Sequence, residues 1–256
     1  MKKRYYILIA TLSYLFFTLG NVPAAKVISL AKNNTQLPVS LYGVQGSIWN
    51  GSAEKIIAPG QPAIDNVKWD INPAMLLLAQ VSGEVNGSIK NQNIIGNVSL
   101  SAGGTLSASD VRARIEAPVI QELIKMPLGE LGGVFNINIK SFEATREGLP
   151  KINANIKWKN AQLTLLETVE LGFIDLNLST NENDHLVANI SNKKGQLLLD
   201  GKALLDNEKA YDLNLRITPE SNANNNIRQS VGMIAKRQSD GSYLLKRKGN
   251  LRELGL

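Results

Sequence analysis

The chain has 256 residues, a formal charge of +6, one histidine and no cysteine, which excludes disulfides, thiol nucleophiles and cysteine-based metal sites. Without Lys2, Lys3 and Arg4, 25 basic side chains face 22 acidic ones, a balance too mild and too evenly spread for a nucleic-acid surface. The one basic cluster, Lys246-Arg247-Lys248, reads as a solvated strand end.

From Tyr5 to Ala25 no residue is charged, and three basic residues precede the stretch. This is an export signal, and the leading positive charge predicts a cytoplasmic N-terminus with the body on the far side of a membrane. Val22-Pro23-Ala24-Ala25 offers small residues that a signal peptidase could accept. Yet the uncharged span matches the roughly 20 residues needed to cross a hydrocarbon core, and Tyr5 and Tyr6 stand where interfacial aromatics sit. Removal and retention both stay open on these residues. The expected organisation is a membrane segment at 1–25, a linker at 26–37 and one β domain over 38–256.

The body alternates apolar and polar residues with period two, the mark of strands buried on one face. Examples in chain order are 83–89, Val134-Phe-Asn-Ile-Asn-Ile-Lys140, Ile152-Asn-Ala-Asn-Ile-Lys-Trp158, 174–179 and 212–218. Asn, Lys and Ser take the outward positions; Ile, Leu and Val take the inward ones. Asn33-Asn34, Pro59-Gly60, Gly103-Gly104, Glu147-Gly148 and 192–195 read as turns. Strands at hairpin distance, without helices between them, predict an antiparallel sheet.

Three segments predict short helices. Residues 72–80 begin with Asn72 as N-cap and Pro73 at the first helical position. Residues 118–125 stop before Pro127. Residues 224–236 place Ile227, Val231 and Ile234 on one face behind an Asn-rich start. Strand-corner chemistry recurs between 46–53 and 154–161, but without the strict period of a repeat.

Catalytic chemistry is nearly absent. His185 follows Asp184, but neighbours in an extended segment point to opposite faces, so an exposed loop histidine is the preferred reading. No zinc, calcium, nucleophile-elbow or phosphate-loop pattern occurs, and no cofactor or metal is expected. Paired carboxylates at glycosidase separation stay open. Trp49, Trp69 and Trp158 could form a ligand platform, but their inward or corner positions favour packing.

The order of these motifs resembles the type II secretion system protein N family. Gly46-Ser-Ile-Trp49-Asn-Gly51-Ser-Ala53 is similar to its opening corner, and Trp69-Asp-Ile-Asn-Pro73-Ala-Met-Leu76-Leu77 to the element that follows. Trp158, Ala161, Gly172, Gly195, Leu197 and Gly201 fall in the family's order, as do Gly232, Gly241, Tyr243, Gly249 and Leu251. The resemblance covers nearly the whole chain, and these positions are expected to be structural. Asn and Lys at outward positions, and the tail 252–256, depart from it.

The resemblance implies a non-enzymatic accessory protein of the secretion machinery, retained in the inner membrane by residues 5–25, with a periplasmic body contacting other secretion subunits. It also implies an AsmA-like fold: an N-terminal transmembrane helix and a large curved, groove-like antiparallel β-sheet with a few short helices. The alternative is a lipid-handling protein carrying an apolar ligand in that groove; a glycan hydrolase is a third reading. If Ile137, Ile139, Ile156, Leu176 and Leu178 line an open groove, lipid carriage gains. A dry, helix-filled face favours the subunit.

Overall fold

The computed structural model describes residues 5–6, 14, 20–34, 39–124, 126, 129–165 and 167–251. Residues 1–91 and 92–256 form two compact units. The strands of both pair antiparallel wherever register is defined.

In the first unit, helix α1 (Ala24–Asn34) precedes strands β1 (Ser40–Tyr42), β2 (Gln45–Gly46), β3 (Asn50–Ile57), β4 (Ile64–Ile71) and β5 (Gln80–Ile89). Their order is β1-β3-β4-β5, with β2 beside β3. The Asn33-Asn34 breaker closes α1 instead of making a turn, because Ala, Lys and Leu favour helix and Asn is tolerated at its end. Residues 72–80 form a 3-10 helix, Pro73–Leu78, with the expected cap: the Asn72 side chain accepts from the Ala74 N–H at 3.0 Å. It is shorter than expected because Ala79 turns left-handed, at φ 54, and β5 begins at once.

The second unit contains β6 (Gln92–Ser101), β7 (Leu106–Glu116), α2 (Ala117–Leu123), β8 (Glu130–Ala144), β9 (Lys151–Thr164) and β10 (Thr168–Thr180). It continues with β11 (Leu186–Lys193), β12 (Leu197–Leu205), β13 (Ala210–Pro219), α3 (Asn225–Ile234), β14 (Lys236–Arg237) and β15 (Tyr243–Asn250). Spatial order follows chain order from β6 to β13 and ends β15-β14. The five alternating segments named above all lie within strands, and Pro127 lies outside the described residues. Asn192 and Lys193, expected in a turn, complete β11.

Helix α3 is capped by Asn224, whose side chain accepts from the Ile227 N–H at 2.8 Å. Ile227 and Val231 are buried, but Ile234 is 53% exposed. The helix stops at Ile234 and the chain becomes extended at Ala235, so the third apolar position never closes onto the sheet. Ala161, Leu171, Ile174, Leu197, Ile217 and Ala223 pack with Ile227 and Val231 into one core.

Of the uncharged N-terminal stretch, Tyr5, Tyr6, Tyr14 and Gly20 are helical, while 7–13 and 15–19 lie outside the described residues. Among the described residues no helix is long and apolar enough to cross a membrane.

Candidate functional site

The opening motif closes a corner of the first unit. Gly51 and Trp69 are register partners, and a β-carbon at Gly51 would lie 2.6 Å from the Trp69 ring and 2.6 Å from the Ser47 carbonyl. Only glycine lets the indole reach across. Its Nε1–H then donates to the Ile48 carbonyl at 3.2 Å. Gly46 packs as tightly on the Asn50 carbonyl, Trp49 is half-buried, and Ala53 is buried opposite Val67. The same corner takes up the chain entering α1: the Ile48 N–H donates to the Val22 carbonyl at 3.0 Å, Pro23 bridges to Ser47, and Ala24 is 1% exposed.

The rest of that motif points elsewhere. Pro73, Leu76 and Leu77 sit on the 3-10 helix, which buries none of its residues. Leu76, Leu77 and Leu78 are 48%, 89% and 71% exposed.

In the second unit, register aligns apolar side chains in rows across the strands. One row runs Ile94, Ala113, Ile137, Ile156, Leu176 and Ile190. It continues through Gly201 to Leu215 and Leu245. At a strand spacing of about 4.8 Å it is roughly 40 Å long. Every member is half-buried. Ile139 and Leu178 flank Ala154 in a parallel row and are half-buried too. The inward positions are thus shielded less than a packed core requires.

The next row is closed. Phe135 stacks on Trp158 with centroids 4.7 Å apart, and the Trp158 Nε1–H donates to the Gly132 carbonyl at 2.9 Å. Ile174 follows in register, and then Asn192, only 8% exposed. Its Nδ2 donates to the carbonyls of Leu171 and Leu197, both at 2.7 Å, and its Oδ1 accepts the Leu199 N–H at 2.6 Å. Sequence reasoning placed Asn192 in a turn. The missed signal is parity: it shares a face with Leu186, Ala188 and Ile190.

The remaining motif positions surround this clamp. Ala161 and Leu197 belong to the core, and Tyr243 packs against it. Gly172, at φ +71, lies where the pairing of β9 and β10 slips, against the Lys193 carbonyl, with no room for a side chain. Gly195 rests on the Leu171 backbone, Gly201 on Asn214 and Leu215, and Gly249 on the Tyr211 ring. A β-carbon at Gly232 would meet the Tyr243 ring at 3.6 Å, an ordinary contact, Gly241 faces open space, and the Leu251 N–H donates to the Lys209 carbonyl at 2.9 Å.

Three arrangements bear on catalysis. His185 is half-buried, and its backbone N–H donates to the Asn181 side chain, while Asp184 pairs with Lys151 at 3.3 Å. Asp70 and Glu84 are cross-strand neighbours in a depression of about 560 Å³ that also touches Trp69. Both acids are exposed, and among the described residues neither side chain has a hydrogen-bond or ion-pair partner to orient it. Successive strand residues face oppositely, so the Trp69 ring lies across the strand from them. Among the described residues no three His, Asp or Glu side chains could hold a metal ion.

These features define an antiparallel β protein with indole-locked corners and a long, half-buried apolar face. A family model for the type II secretion system (T2SS), protein N, matches residues 38–246, and the chain belongs to that family. No curated protein and no solved structure matches it.

Proposed function

We propose that the protein is a non-enzymatic accessory component of the type II secretion machinery, tethered in the inner membrane by residues 5–25, with its body in the periplasm. The family membership supports the system. The observation that carries the subunit reading is Leu77, a motif position left 89% exposed on a capped 3-10 helix between two exposed leucines. A contiguous exposed apolar knob marks a docking site, and another secretion subunit is its partner. Retention of the N-terminal segment is supported by Val22, Pro23 and Ala24, which are built into the Trp69 corner. Cleavage there would cut away part of the fold.

The test replaces the native gene by one encoding Leu76→Gln with Leu77→Gln. Periplasmic retention of secreted proteins, with unchanged cellular level and melting temperature of the variant, is the expected result. Undiminished secretion would sink the docking reading. Alkaline carbonate extraction should leave the full-length chain in the membrane; a shortened soluble chain would exclude the anchor.

Lipid handling is a second reading, favoured by the half-buried row through Ile137, Ile156 and Leu176. A photo-crosslinking residue at position 176 would capture lipid under this reading, and a secretion subunit or nothing under the first.

A further inference from the structure

The polar face of the second unit carries an arrangement apart from the leucines proposed for docking, which lie in the first unit. Asn138, Asn155, Asn177 and Asn189 are successive register partners on β8 to β11, continued by Lys202 and Asn214. Asn is depleted in strands, so propensity does not account for the row. A ladder serving only the sheet would bond rung to rung. Here Asn155 Nδ2 donates to Asn177 Oδ1 at 2.8 Å, whereas the Asn138 and Asn189 side chains make no hydrogen bond among the described residues.

At one end of the row lies a depression of about 410 Å³, lined by Asn136, Asn138 and Asn155 together with Arg112, Arg114 and Lys157, and by no acid. All three cations are exposed, and none has an ion pair or a side-chain hydrogen bond among the described residues. Asp175, which faces Lys157 in register, forms no ion pair with it; its Oδ1 accepts from the amides of Asn155 at 2.6 Å and Asn177 at 3.1 Å. The depression therefore combines three cations unpaired among the described residues with the amides of Asn136 and Asn138, which can both donate and accept, and with the Asn155 Oδ1, which can accept.

We propose that this face binds an anionic glycan, with Arg112, Arg114 and Lys157 holding its carboxylates or phosphates and the asparagine amides pairing with its hydroxyls. Arginine suits planar carboxylate and phosphate groups. Amides and hydroxyls match each other as combined donors and acceptors, which favours a sugar over an acidic peptide. Rungs about 4.8 Å apart are close to the spacing of successive sugar rings.

The test is calorimetric titration of the full chain in detergent with three probes: a hexamer of galacturonic acid, a neutral cello-hexaose and a hexaglutamate peptide. The uronate is expected to bind at least tenfold more tightly than either control. Arg112→Gln with Arg114→Gln should weaken it at least tenfold, and Asn138→Ala with Asn155→Ala several-fold, with unchanged melting temperatures. Equal binding of hexaglutamate, binding insensitive to these variants, or no measurable heat from the uronate would each overturn the proposal. So would displacement of the uronate by anionic phospholipid added in mixed micelles of the same detergent, which would assign the face to a membrane surface.

Discussion

Asn192 Oδ1 accepts the backbone N–H of Leu199 at 2.6 Å from inside an otherwise apolar row. The registered pairing of β11 with β12 ends at Ser191 and Asp200, one residue before this contact. The side chain supplies what the ladder no longer does, for Leu199 and for two carbonyls. Unpaired buried backbone groups are costly, and the clamp pairs three of them where the β11–β12 register ends.

Replacing Asn192 by Leu leaves the Leu171 and Leu197 carbonyls and the Leu199 N–H unmatched. Unfolding in urea should show a loss of about 2–4 kcal/mol, from the usual cost of stranded buried polar groups. Asn189→Leu, one face over and exposed, should change stability by less than about 0.5 kcal/mol. Equal effects at the two positions would remove the clamp from the account of the fold.

Gly51→Ala forces the Trp69 ring aside, and Trp69→Phe deletes its bond to Ile48. Overpacking should cost about 1–3 kcal/mol, and the lost bond about 1 kcal/mol. The double variant should fall short of the sum, because both act on one contact. Limited proteolysis should cut the chain near Val22 faster in each, since the corner also holds that segment.

Ile227 and Ile234 lie two turns apart on α3 but are 2% and 53% exposed. Ile227→Ala should cost about 2–4 kcal/mol, the range for emptying a packed site. Ile234→Ala should be near neutral. Thermal melts of the two variants decide this directly.

The Ser242 hydroxyl, at 2.6 Å, is the main cause holding the Asp240 carboxyl below its usual range; the Ser242 backbone N–H and Arg216 add to it. A depressed folded-state value means the contribution is complete above the ordinary carboxylate range, about pH 4. It is lost as pH falls through the lower folded value. Asp240→Asn should therefore lower the neutral plateau of urea midpoint against pH slightly, leave the most acidic points unchanged, and so flatten the limb between them. A steeper acid limb in the variant would contradict the assignment.

Strand identity was legible wherever period two persisted, as along Ile152 to Trp158, because alternation and pleat share one geometry. The caps at Asn72 and Asn224 were legible because capping is local chemistry. Ile234 was not, since its burial depended on where α3 stops relative to the sheet. Asn192 was misread because its turn-forming chemistry and its buried role draw on the same amide. The exposed leucines after Pro73 carried an apolar signal that composition reads as core.

By itself the sequence determined that this is an antiparallel β protein, that its tryptophan and glycine corners follow a secretion family's order, and that thiol and zinc chemistry are out of reach. Those properties rest on residue type and short spacing. Only the tertiary structure decided which faces stay open: register brought Ile137, Ile156 and Leu176 into one half-buried row, and Asn138, Asn155 and Arg112 into one polar patch. Register is set by the turn joining two strands and by the match of their apolar faces, and no single strand contains it.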